Sequence, residues 1–101
     1  MNGFIIISRL GSSRLKKKHL LKIDKKPIVE HFIERIVNNF PTENYKIVLA
    51  TTDQIIDEKF DYLEKKYSIT VYHGNKSNIP LRIYNSIKLF KIEKAVILEG
   101  D

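Results

Sequence analysis

The sequence predicts an α/β domain, a three-layer sandwich with a mostly parallel sheet between helices. Three observations predict it. Four short apolar runs rich in β-branched residues recur along the 101 residues, and near-continuous runs of this kind suit strands buried on both faces. Between them, apolar residues return at helical spacing. The connections are short, so the order β-α-β-α-β-α-β implies right-handed crossovers and parallel strands.

Residues 4–7, FIII, form the first strand, with three β-branched residues in a row. The run stops at a loop carrying Arg9, Gly11, Ser12, Ser13, Arg14, Lys16, Lys17 and Lys18. Leu20, Leu21 and Ile23 make a short apolar stretch ending in the turn-like Asp24-Lys25-Lys26. Pro27 suits a first helical position, where its fixed φ fits and its missing N–H costs nothing. Ile28, Phe32, Ile33, Ile36 and Val37 follow at helical spacing, with Glu30, Glu34 and Arg35 outside the stripe, until Asn-Asn-Phe-Pro stops the helix.

Residues 45–50, YKIVLA, are the second strand, and Thr51, Thr52 and Asp53 at its carboxyl end suit a helix cap. In the next helix Ile56, Phe60, Leu63 and Tyr67 share one face. Asp57, Glu58, Asp61, Glu64, Lys65 and Lys66 form the solvated one. Residues 69–72 are a short third strand, followed by a His73-Gly74-Asn75 turn. Pro80 opens a third helix with Ile83, Ile87 and Phe90 inward. Residues 95–98 are the fourth strand, and Glu99-Gly100-Asp101 follows it.

The length fits one domain or part of one. Apolar residues at 43% and charged residues at 30% suit a packed core rather than disorder. Without cysteine the chain has neither a disulfide framework nor a thiolate metal site. Its apolar runs of about four residues are far short of a membrane span and no signal segment is visible, so the cytoplasm is the expected location, with no membrane partner. His19, His31 and His73 lack metal spacing, and no Ser/His/Asp set suggests covalent hydrolysis.

The net charge of +6 is concentrated rather than spread. Residues 9–26 hold eight Lys/Arg against Asp24 alone, whereas the remainder has ten basic and eleven acidic residues. A duplex-binding surface spreads its cations along a face. A single focus suits a compact anion such as a nucleoside triphosphate, so no nucleic-acid partner is expected. Backbone N–H groups, hydroxyls and cations at a strand end are the equipment for holding a polyphosphate, although GxxxxGK[ST] and GxGxxG are both absent. Ligands of parallel sheets gather beyond the carboxyl ends of the strands. Three polar clusters fall there: residues 9–18, 51–53 and 99–101.

The stretch ISRLGSSRLKKKHLLKIDKKPIVEHFIERI resembles the opening of the sugar-activating cytidylyltransferases, in particular the spore-coat polysaccharide biosynthesis type. The 3-deoxy-manno-octulosonate and acylneuraminate enzymes are relatives of that type. The family pattern is a strand, A-R-x-G-S-S-R-L-P-G-K, a Gly-Lys-Pro turn and a helix ending near Glu-Arg. Arg9, Gly11, Ser12, Ser13, Arg14, Leu15 and Lys18 match it in register, as do Lys26-Pro27 and Glu34-Arg35. IVLATTD is similar to the second strand and its A-T-S-D. Residues 71–85 resemble the third strand and the G-x-x-x-(D/N)-(V/I)-L-x-R-Y segment, with Asn78, Arg82 and Tyr84 in matching places. Residues 96–101 resemble the strand ending in Gly-Asp. Lys16-Lys17 departs from Pro-Gly, and Glu99 stands where relatives often carry Gln or Thr.

The resemblance implies a Rossmann-like nucleotide-diphospho-sugar transferase fold, truncated: residues 1–101 are the N-terminal nucleotide-binding part of a domain roughly twice as long. It implies CMP transfer from CTP to a sugar or sugar acid with release of pyrophosphate, for surface polysaccharide biosynthesis, and a homodimer at full length. Arg14 and Lys18 take the catalytic role on the triphosphate. Arg9, Gly11, Ser12, Ser13, Thr51, Asp53, Asn78 and Arg82 fall to nucleotide binding, and Asp101 to Mg2+. Plainer readings stand beside these: an ordinary turn at residues 11–13, a cap at 51–53, and a solvated helix start at Asn78 and Arg82. For the whole chain the rivals are a non-catalytic basic α/β binding module and an inactive gene fragment.

Overall fold

The computed structural model of the protein describes residues 2–8, 22–23 and 25–99. Strands β1 (Asn2–Ile7), β2 (Lys22–Ile23) and β3 (Lys26–Pro27) precede helix α1 (Ile28–Asn39) and strand β4 (Lys46–Thr52). A 3-10 helix (Ile55–Phe60), helix α2 (Tyr62–Tyr67), strand β5 (Thr70–Gly74), helix α3 (Ile79–Leu89) and strand β6 (Lys94–Glu99) follow. β1, β4, β5 and β6 form one sheet in the order β5-β4-β1-β6, with every pairing parallel. β2 and β3 make a small antiparallel hairpin that turns at Lys25, φ 67°. It forms where the apolar stretch was expected to end in a turn, and it places Pro27 in a strand just before α1.

The apolar runs are continuous because β1 and β4 are covered on both sides. Phe4, Ile6, Ile47 and Leu49 pack against Val29, Ile33 and Ile36 of α1, with Phe60 and Leu63 closing the layer. Ile5, Val48 and Ala50 face the other way, against Ile92 and the α3 residues Ile83 and Ile87. Helices on both faces of a parallel sheet give the three expected layers. β6 is the exception: among the described residues it pairs only with β1, and Val96 and Ile97 remain 50% and 41% exposed. Beside it at the amino ends of the strands lies an apolar cavity of about 500 Å³, lined in part by Phe4, Phe40, Tyr45 and Val96.

Four local expectations are corrected. The helix after β4 is broken into the 3-10 turns and α2. The buried Asp57 carboxylate accepts the Thr52 hydroxyl, and the Asp57 N–H donates to Gln54 O at 3.0 Å, drawing that turn back to the strand end. Asp57 is therefore not on a solvated face. Glu30 is not outside the buried stripe either: it is 3% exposed. It accepts from the Tyr62 and Tyr67 hydroxyls, both at 2.7 Å, and pairs with Lys66 at 2.7 Å. Burial alone would raise the Glu30 pKa, but Lys66 and the two phenols outweigh it and hold the carboxyl at about 2, against an ordinary 4.5. Finally, His73 and Gly74 belong to β5 rather than to a turn. Among the described residues no helix is long and apolar enough to cross a membrane.

Candidate functional site

The strand order reverses between β1 and β6: the chain moves outward from β1 through β4 to β5, and β6 lies on the opposite side of β1. A crevice forms at such a reversal, beyond the carboxyl ends of the strands. Ile7 and Glu99 are Cα partners across it. The segment carrying Arg9, Gly11, Ser12, Ser13, Arg14 and Lys18, and the one carrying Asp101, therefore leave the sheet from neighbouring strand ends. Those seven positions themselves lie outside the described residues.

At the β1 end, Ser8 is 3% exposed and its N–H donates to Ala50 O at 3.3 Å. Thr51 of β4 is fully buried. Residue alternation puts Ser8 with Phe4 and Ile6, and Thr51 with Ile47 and Leu49, so the two hydroxyls share the α1 side of the sheet. Among the described residues neither Ser8 Oγ nor Thr51 Oγ1 has a hydrogen-bond partner. A buried hydroxyl without a partner is uncommon and calls for an explanation, a ligand among them.

Thr52 supports the next segment: its hydroxyl donates to Asp57 and accepts from the Gln54 N–H at 3.2 Å. The Asp53 N–H donates to Gly74 O at 3.0 Å, which ties the ends of β4 and β5 together and leaves the Asp53 side chain exposed. His73 bridges two acceptors, with Nδ1 2.7 Å from Thr52 O and Nε2 2.7 Å from an Asp61 carboxylate oxygen. Burial opposes its charge, but the Thr52 carbonyl and the Asp61 carboxylate outweigh burial and raise its pKa above the ordinary 6.5.

Asn78 and Arg82 follow β5 at the start of α3. The Asn78 side-chain oxygen caps the helix by accepting from the Leu81 N–H at 2.9 Å. Arg82 is 1% exposed rather than solvated, and its Nη1 donates to Asn75 O at 3.2 Å. Gly74 makes room for it: a Cβ there would sit 2.8 Å from Arg82 Cγ and 2.6 Å from the Tyr72 ring. Thr51, Asp53, Asn78 and Arg82 are thus all brought to the carboxyl end of the sheet, Asn78 and Arg82 through buried or capping contacts. Ser8 and His73 were not singled out in the sequence. Ser8 was legible as the first polar residue after an apolar strand, whereas nothing local marks His73, whose partners lie 12 and 21 residues away. Among the described residues no three His, Asp or Glu side chains gather as a metal site.

Comparison with known proteins agrees with this fold. The family model described as cytidylyltransferase matches residues 3–101. The 3-deoxy-manno-octulosonate cytidylyltransferase of Idiomarina loihiensis is 30% identical over 98 residues, which cover 96% of this chain and 38% of that protein. An uncharacterized protein of Methanocaldococcus jannaschii is 32% identical over 97 residues, covering 96% of this chain and 39% of its own. Among solved structures, a cytidylyltransferase from Leptospira borgpetersenii serovar Hardjo-bovis superposes with a TM-score of 0.85 at 30% identity, over 98% of this chain and 41% of that one. The fold is also that of a CMP:2-keto-3-deoxy-manno-octonic acid synthetase complexed with CTP, with a TM-score of 0.71 at 24% identity over 100% of this chain and 41% of that one. The chain thus spans about two fifths of the length of the relatives it matches.

Proposed function

Since the chain belongs to the cytidylyltransferase family, we propose that it supplies the nucleotide-binding part of a domain that transfers CMP from CTP to a sugar or sugar acid. The product would serve surface polysaccharide biosynthesis. A sugar hydroxyl attacks the α-phosphorus and gives up its proton to water, the bond from that phosphorus to the bridging oxygen breaks, and pyrophosphate leaves. Arg14 and Lys18 stabilise the charge that develops on the leaving group, Arg as a bidentate donor and Lys as a point charge. Arg9 and the backbone N–H groups of residues 11–13 hold the phosphates, and the carboxyl end of β4 and the start of α3 lie toward the nucleoside. Asp101 would hold Mg2+, with phosphate oxygens supplying further ligands, an arrangement common for this ion. When bound, the ion neutralises charge on the phosphates.

The observation that carries this reading is the pairing of Ile7 with Glu99 at the point where strand order reverses. It gives the basic loop and Gly100-Asp101 a common origin at one end of the sheet. Isothermal titration with Mg-CTP and Mg-ATP tests it. CTP should bind in preference to ATP, and Arg14→Ala should abolish the heat. Absence of heat, or equal heats for both nucleotides that survive Arg14→Ala, would sink the proposal. Steeply salt-dependent binding to unstructured RNA instead would favour a basic binding module.

A further inference from the structure

We propose that His73 is a positioning residue, held as an imidazolium, that fastens the ligand-side end of β4 to the start of α2 and so sets where residues 51–53 sit. The inference rests on the reading of those residues as part of the nucleotide site. Its basis is donor and acceptor chemistry. A backbone carbonyl only accepts, and so does an ionised carboxylate. With Thr52 O and Asp61 each 2.7 Å from a ring nitrogen, both nitrogens must carry hydrogen, and only the protonated ring has two N–H groups.

The surroundings favour that charge. Asp61 lies at the junction of the 3-10 helix and α2, and Asp57 on the 3-10 helix adds to the negative field. On β5 itself the neighbours are Tyr72 and Gly74. Of the two cations on α3, Lys88 lies in the last turn and Arg82 packs against Gly74, which by alternation faces the other side of the sheet. From β5, His73 therefore joins the end of β4 to the start of α2 through two contacts, and removing one proton breaks one of them. A raised pKa sets the direction: the clasp is complete below the ordinary 6.5 and is lost as pH rises through the folded value. Residues 51–53 loosen with it, and nucleotide affinity falls over the same range.

The wild-type chain tests this by NMR, with the His19 and His31 rings as controls. Both His73 ring nitrogens should be protonated at low pH, the ring should titrate above 6.5, and Asp61→Asn should lower the midpoint. Past that midpoint the Asp53 amide should exchange roughly tenfold faster, the scale of losing one charge-assisted hydrogen bond. A His73 midpoint at or below the ordinary value, or one that Asp61→Asn leaves in place, overturns the proposal, and neither readout needs a nucleotide. Titrating CTP across the same pH range should show affinity falling in the wild type and flat in His73→Gln. Parallel pH profiles for the two proteins overturn the positioning role. If neither binds CTP at any pH, the nucleotide reading falls, and the ring titration still decides the clasp.

Discussion

Replacing Thr51 by Val separates a role in binding from a role in folding. The hydroxyl is fully buried and has no partner among the described residues. Leaving such a group unsatisfied costs about 1–3 kcal/mol, and Val keeps the shape while removing the polar atom. Thr51→Val should therefore stabilise the protein by ~1 kcal/mol, which for a domain of this size raises Tm by roughly 4–8 °C. If the hydroxyl faces the nucleotide, the same change should remove a net hydrogen bond worth ~1 kcal/mol and weaken CTP binding several-fold. Thermal melts read the first effect and isothermal titration the second. A variant less stable than wild type would show that the folded protein already satisfies the hydroxyl. A more stable variant with unchanged CTP affinity would remove Thr51 from the site.

Two further predictions concern the scaffold. Glu30 has a depressed pKa, so its contribution is complete above 4.5 and is lost as pH falls toward about 2, a gap worth ~3 kcal/mol at about 1.4 kcal/mol per pH unit. Urea unfolding between those pH values should show Glu30→Gln with a flatter acid limb than wild type, and coincident limbs would refute the network's role. At the edge strand, Val96 and Ile97 stand 50% and 41% exposed beside backbone that has no strand partner among the described residues. The chain should self-associate, and Ile97→Lys should lower the mass measured by light scattering, because a charge on an edge opposes strand pairing. A monodisperse wild-type monomer would contradict this.

The layers and the strand sequence were legible because β1 and β4 are buried on both faces, which writes an unbroken apolar run into the chain. Strand ends were less so: Thr51 and Thr52 pair within β4, though their polarity suggested a helix cap beyond it. Apolar periodicity records which residues avoid water, but it says nothing of polar residues buried with partners. Glu30, Asp57 and Arg82 are all at most 3% exposed. Glu30 meets tyrosines more than thirty residues away, and no spacing rule along one helix reports such a meeting. The Thr52–Asp57 bond likewise overrode a continuous helical pattern. For the site, the sequence located the polar clusters that follow the strands and the focus of charge, while the unpartnered hydroxyls and the His73 bridge became visible only once β4, β5 and α2 were assembled.

The fold supports its strands unequally. β1 is hemmed in by a strand on either side and a helical layer above and below, so its tip is a fixed anvil. Among the described residues β6, which leads toward Asp101, is tethered along a single seam with its side chains half in water. A ligand spanning both tips would have to still the looser jaw, and part of its contact energy would go into that ordering. Whatever covers the outer seam of β6 would relieve that cost and tighten the grip without touching the ligand.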